Sequence, residues 1–528
     1  MKLDEIAAPL QIPPLGRTAP MTLASVTTTA PEPEAANRLW LAVHLPRFTL
    51  DMATRGNAER KACVLVDGEG ARQRISLANA EAVRLGIRVG MPLAAAHALG
   101  EVLAFMRVPA AEERAMEQLC DWAYQFTPLV APVAPNGLLM EIRGSLGLFG
   151  GLSGLVARLR RELRQLGFQT IAFGTAPTPT AAIWLARARQ SAAVESLATL
   201  PAALSQVSLE VLDLPAKLQQ DFCGIGVRTI GECLRLPRDS LARRFTPDLL
   251  LSLDRALGRA PDPRAAFVPR QRFASRIDLL WEIHHAQGLA LAMERLLNEL
   301  TGVLRAQASV SRHLLWQLHH ADGSVTQHPI GLLEPSREAL HLLRVSREYF
   351  LRQQLHAPVR GISLEVAQFE VLPSAPGRDL FARREDTAER ETLPRFAERL
   401  RARLGERALQ TLRTQADHRP EWASRLQAVN TSSLNAPAPQ AQDLSRRWPE
   451  RPLWLTRQPL PLMEHDGRPS YDGPLELANE RERIEAGWWD GAQVSRDYFI
   501  ARNQHGSRLW VFRDLAGSRG WFLHGIFE

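Results

Sequence analysis

Lysine is almost missing from this chain: Lys2, Lys61 and Lys217 are the only three in 528 residues, so the formal net charge of +7 rests on arginine. Arginine holds its charge at any ordinary pH and forks onto phosphate oxygens, which suits a polyanionic partner. A GC-rich genome that favours arginine codons produces the same composition, so both explanations stand. Cysteine is scarce as well. Cys63, Cys120, Cys223 and Cys233 are far apart and form no CxxC pair, which excludes a zinc knuckle and a disulfide framework. No segment offers the run of about 18 apolar residues that a membrane span needs. Residues 1–37 are rich in Ala, Pro and Thr but lack a charged segment followed by an apolar run, so neither export nor a membrane anchor is expected. A reducing cytoplasm is the expected compartment.

What is present reads as several domains, an α+β multidomain chain. Residues 1–37 read as a disordered leader. From Leu39 strands alternate with helices: LWLAVHL, ACVLVD, a helix around NAEAVRLGI, a helix over Ala111–Phe126, GLLMEIRG, a helix over Ser153–Leu166, and FQTIAFG. That order over 38–200 predicts a sheet with helices packed on it. Residues 201–267 turn into short helices separated by Gly and Pro. Residues 268–373 follow the order strand, helix, strand, strand, helix, strand, a βαββαβ unit with both helices on one face. A linker over 374–450 contains the amphipathic helix TLPRFAERLRARLGERALQTL. Residues 451–528 form a small, aromatic-rich, β-rich tail.

Within 201–267 the segment FCGIGVRTIGECL has the form of a helix-hairpin-helix. Gly224, Ile225 and Gly226 make a turn without bulk, so a phosphate can come close to the backbone. Arg228 and Thr229 open the next helix, whose amides can bind that phosphate. Such a hairpin grips a nucleic-acid backbone without reading its sequence.

The order RISLANAEAVRLGIRVGMPLAAAHAL, PLVAPVAPNGLLMEI, IAFGTAPTPTAAIWLA, CGIGVRTIGECL resembles the Y-family translesion DNA polymerases over about residues 39–372. LGIRVGMPL, Leu85–Leu93, is the strongest element. The resemblance implies palm and fingers for 38–200, a thumb for 201–267 and a little finger for the βαββαβ unit. It also implies carboxylates holding two divalent cations roughly 3.5 to 4 Å apart. Those acids are missing. The first metal-binding aspartate falls on Ala42, and the acidic pair falls on Asn136 and Gly137. The family's triphosphate-contacting Tyr and Arg fall near Ala80 and Val83, its lysine near Pro179 or Thr180, and its sugar-gating aromatics near Pro46 and Arg47. Asp51 and Glu141 are the acids that remain nearby.

The tail, with GWWDG followed by RDYF, LWVF and WFLHG, resembles the ImuB-type group of catalytically degenerate Y-family homologues. That resemblance implies a DNA repair role in the SOS response: binding damaged primer-template DNA and supporting damage-induced mutagenesis by translesion synthesis. It also implies docking on the β sliding clamp and partnership with a RecA-like ImuA-type protein and an error-prone C-family DNA polymerase alpha subunit. Asp379, Leu380 and Phe381 in GRDLF match the family's clamp peptide, with Gly377 in place of its Gln. QPLPL, Gln458–Leu462, is the rival. Trp488, Trp489, Trp510 and Trp521 either staple the tail's core or face a partner. No catalytic residue and no cofactor is expected. Two other readings stay open: an active polymerase using Mg²⁺ at Asp51 or Glu141, and a general DNA-structure binding protein without clamp contact.

Overall fold

The structure is a computed structural model that describes residues 38–57, 61–190, 193–239, 241, 247–372, 392–429, 450–465 and 467–528. Its first sheet has four antiparallel strands in the order Val130–Val133, Gly137–Glu141, Trp40–His44, Ala172–Ala176. Trp40–His44 is central, and both of its faces are buried, which is why it reads as an unbroken apolar run. Leu41 and Val43 pack against the helices Pro109–Ala123 and Gly151–Gln165, while Trp40 and Ala42 pack against the helix Pro179–Arg187.

A smaller sheet of Arg74–Ala78, Cys63–Asp67 and Leu103–Met106 carries the LGIRVGMPL motif. The motif's glycines are conformational: Gly86 and Gly90 have φ of +87° and +85°, and Gly90 N donates to Ile75 O while Ile87 is buried between them.

The next sheet runs Val325–Ser336, Ser309–His320, Val359–Val366, Phe273–Ile283, with helices Ala290–Ala306 and Ala339–Leu351 covering one face. It is fastened directly to the first domain. Arg55 and Glu299 form a buried ion pair, and Ser275 Oγ donates to Glu299 at 2.5 Å. Asn57 Oδ1 accepts from Leu280 N at 2.7 Å. Helix Ala290–Ala306 lies so close to Trp122 that a Cβ on Gly302 would stand 2.1 Å from the indole Cδ1.

The amphipathic helix covers Leu393–Leu404 and is shorter than the apolar spacing predicts, because Gly405, at φ +100°, ends it. Part of the segment read as linker is a hairpin of Gln410–Thr414 and Ser424–Ala428. The tail is a six-stranded sheet in the order Arg468–Ser470, Trp454–His465, Trp521–Ile526, Arg508–Asp514, Val494–Arg502, Glu476–Ala486. Among the described residues no helix is long and apolar enough to cross a membrane.

Candidate functional site

Ala42, Asn136 and Gly137 meet at one end of the central strand pair, where His44 is directly opposite Gly137. Together with His44, Ile183 and Arg187 they line a cavity of about 10 Å³, room for about one water molecule. Burial, together with Arg187 and Arg189, holds the His44 imidazole down to about 4, so it is neutral at physiological pH, and the Asn136 side chain hydrogen-bonds it. Arg187 is fixed by Val211 O at 3.0 Å and by Asp213 at 2.5 Å. The side chains here thus supply a neutral imidazole, an arginine already paired with a carboxylate and apolar surface, at the place where the family resemblance expects free metal-holding carboxylates. Ala42 is buried and Gly137 abuts backbone: a Cβ on Gly137 would lie 2.7 Å from Val43 O.

The position of the expected triphosphate lysine is filled in a comparable way. Thr180 is buried at the start of helix Pro179–Arg187, and both its amide and its hydroxyl donate to Asp262, at 2.9 and 2.8 Å. Arg264 closes the cluster with an ion pair to Asp262 at 2.8 Å. A carboxylate therefore caps the helix end to which a phosphate would be drawn.

Asp51 and Glu141 stand far apart. Glu141 is paired with Trp40, four strand positions from His44 and Gly137, or about 13 Å along the strand. Its Oε1 accepts from Leu39 N and Arg143 N, each at 3.1 Å. Asp51 is buried on the helix Phe48–Thr54, where it accepts from Gln169 N at 3.0 Å. Burial pushes its carboxyl up to about 6. Gln169 leads into Ala172, the partner of His44, so the two acids occupy opposite ends of the sheet.

The hairpin turn is present, with one correction. Cys223 to Gly226 are exposed, Gly226 has φ +78°, and buried Phe222 and Val227 anchor the flanks. The amides offered to a phosphate are already committed. Arg228 N and Thr229 N donate to Glu232 Oε2 at 2.7 and 3.0 Å, while Thr229 Oγ1 accepts from Glu232 N. Ile225, Gly226 and Val227 donate to Asp221, Cys223 and Phe222 carbonyls. A phosphate here must use the Arg228 side chain and the open glycine surface, or displace Glu232.

In the tail the four tryptophans divide. Trp510 and Trp521 are 2% and 5% exposed and belong to the core, so they are corrected from partner contacts to staples. Trp488 and Trp489 face outward. Asp379, Leu380 and Phe381 lie outside the described residues. QPLPL lies within the strand Trp454–His465, whose backbone pairs with Trp521–Ile526. Sequence reasoning missed Arg187, Asp262 and Glu232, and only Glu232 had a signal there, the capping box Thr229-x-x-Glu232.

Comparison with known proteins places these features in context. Residues 46–187 match the impB/mucB/samB family. Protein ImuB of Caulobacter vibrioides is 27% identical over 445 residues, covering 79% of this chain and 94% of that protein. A DNA polymerase IV of Desulfatibacillum aliphaticivorans is 27% identical over 216 residues, 39% of this chain and 54% of that protein. The crystal structure of DinB from Sulfolobus solfataricus aligns over 63% of this chain and all of its own at 13% identity, with a TM-score of 0.35.

Proposed function

We propose that this chain, an ImuB relative whose residues 46–187 form an impB/mucB/samB-family domain, is a non-catalytic translesion scaffold. The observation that carries the reading is how the two expected places are filled: Arg187, paired with Asp213, and a neutral His44 at the expected metal end, and Asp262, paired with Arg264, capping Thr180 at the expected phosphate end. Nucleotidyl transfer needs free carboxylates at the first place and an open phosphate site at the second.

DNA binding is assigned to the exposed hairpin around Gly224–Gly226 and Arg228 and to the βαββαβ sheet, in the roles of thumb and little finger. Asp379–Phe381 serves as the clamp peptide and the tail recruits partners, Trp488 and Trp489 included. The partners of this reading, which the resemblance of the tail implies, are a β sliding clamp, an ImuA-type protein and a C-family polymerase that performs the synthesis during damage-induced mutagenesis. Fluorescence anisotropy with a primer-template duplex and pull-down with the clamp test the reading. Duplex binding is expected to weaken steeply with salt, and deletion of Asp379–Phe381 is expected to abolish clamp capture. A chain with no duplex affinity would sink the scaffold, and unchanged clamp capture would remove the peptide.

A further inference from the structure

The ribbon Gln410–Thr414/Ser424–Ala428 stands apart from the larger sheets, yet both of its ends are anchored. At the open end Leu409 and Val429 pack with Leu333 and Ala397. At the closed end Arg419 is buried and pairs with Asp417 and Asp490 at 2.7 and 2.5 Å, while Glu421 pairs with Arg496 at 3.0 Å. Between these anchors nearly every side chain is exposed.

Arg413 is directly opposite Arg425. Like charges facing each other across a strand pair destabilise it unless an anion joins them. The carboxylates of the turn are consumed by Arg419 and Arg496, and neither Arg413 nor Arg425 has a carboxylate partner among the described residues. With Thr414, Gln415 and Gln427 the two arginines line a depression of about 460 Å³. Arginine, threonine and glutamine together are phosphate-binding chemistry.

Three indoles crowd the same end of the ribbon. Trp422, Trp488 and Trp489 are 50%, 72% and 55% exposed. The Arg419 guanidinium lies 4.5 Å from the Trp422 ring centre and 5.7 Å from that of Trp489, and Trp488 meets Trp489 edge to face at 4.6 Å. These rings are held in place by a buried ion-pair network, so little ordering remains to be done when a flat partner stacks on them.

From the opposed arginines and the exposed indoles, we infer that this end of the ribbon binds single-stranded nucleic acid, phosphates at Arg413 and Arg425 and bases on the tryptophan faces. A protein partner fits less well, because the depression, although Leu426 and Ala428 also line it, carries two arginines without a carboxylate partner among the described residues, and the indoles are exposed instead of enclosed in an apolar pocket. The site is separate from the hairpin at Gly224–Gly226, and gives the scaffold a second grip, on unpaired template.

The test uses the full chain, a fluorescein-labelled oligothymidylate and a blunt duplex as control. Trp488→Ala with Trp489→Ala is expected to weaken oligothymidylate binding by about five- to a hundredfold, whereas Trp488→Phe with Trp489→Phe retains it. Arg413→Gln with Arg425→Gln is expected to lower the slope of log affinity against log salt by about 1.4. Duplex affinity, which reports the other DNA surface, stays unchanged in all of these variants. Wild-type oligothymidylate binding by the alanine variant overturns the inference, and so does an equal loss in the phenylalanine variant. If the alanine variant loses capture of a partner polymerase while still binding the oligonucleotide, the surface is a protein dock and the inference fails.

Discussion

Gly137 faces His44 across the central strand pair, and the backbone around it is so tight that a side chain at 137 would run into the Val43 carbonyl oxygen. The missing acid is therefore built into the packing. Gly137→Glu is expected to cost about 1–3 kcal/mol of stability through overpacking, and Asn136→Asp much less, as read by urea denaturation. The combination Ala42→Asp, Asn136→Asp, Gly137→Glu is expected to gain no primer extension, because Arg187 and Asp262 remain. A triple variant with wild-type stability that extends primers would contradict this.

Asp51 and Asp121 are both buried carboxyls pushed up to about 6. Desolvation dominates in each, so the folded state binds protons more tightly than the unfolded chain, whose carboxyls titrate near 3.9. The stability each contributes is fully present below the unfolded value and is lost as pH rises through about 6. Asp51→Asn keeps an acceptor for Gln169 N and removes the titration. Its unfolding free energy is expected to change less between pH 4 and pH 7 than that of the wild type, by roughly 1–3 kcal/mol, as read by urea denaturation. Identical pH profiles would show that Asp51 is already ionised in the fold.

The buried pair Arg55 and Glu299 joins the first domain to the βαββαβ unit. Removing one partner strands the other charge, so Glu299→Ala is expected to cost about 3–5 kcal/mol. Calorimetry should then resolve separate transitions for the two domains. A single transition at the wild-type temperature would show that the helix contact at Trp122 and Gly302 suffices alone.

Arg228 is the side chain left to a phosphate at the hairpin, since Glu232 holds the neighbouring amides. Arg228→Gln is expected to lower the salt slope of duplex binding by about 0.9 and to weaken all sequences alike. An unchanged slope would move the duplex contact away from this turn.

Much of this architecture is legible in the residues, for local reasons. The unbroken apolar run of Trp40–His44, glycines at positive φ in LGIRVGMPL and the Thr229-x-x-Glu232 spacing each have a one-dimensional cause. What escaped is set by packing between distant segments. Arg187 is only the last residue of a helix until the fold brings it to His44, and Asp262 reaches Thr180 across 82 positions. The ribbon was hidden because GERALQTL continues a helical apolar spacing past Gly405. Trp510 and Trp521 lie on strands buried at consecutive positions and enter two different core clusters, whereas Trp488 and Trp489 sit in a turn between Gly487 and Gly491, both at positive φ, and so stay outside the sheet.

The most direct test of the scaffold account is primer extension by the purified full chain with Mg²⁺ and with Mn²⁺, on a duplex that the same preparation is shown to bind. The account predicts retained duplex binding with no nucleotide added in either metal. Template-directed addition that disappears in Asp51→Ala or Glu141→Ala would contradict it.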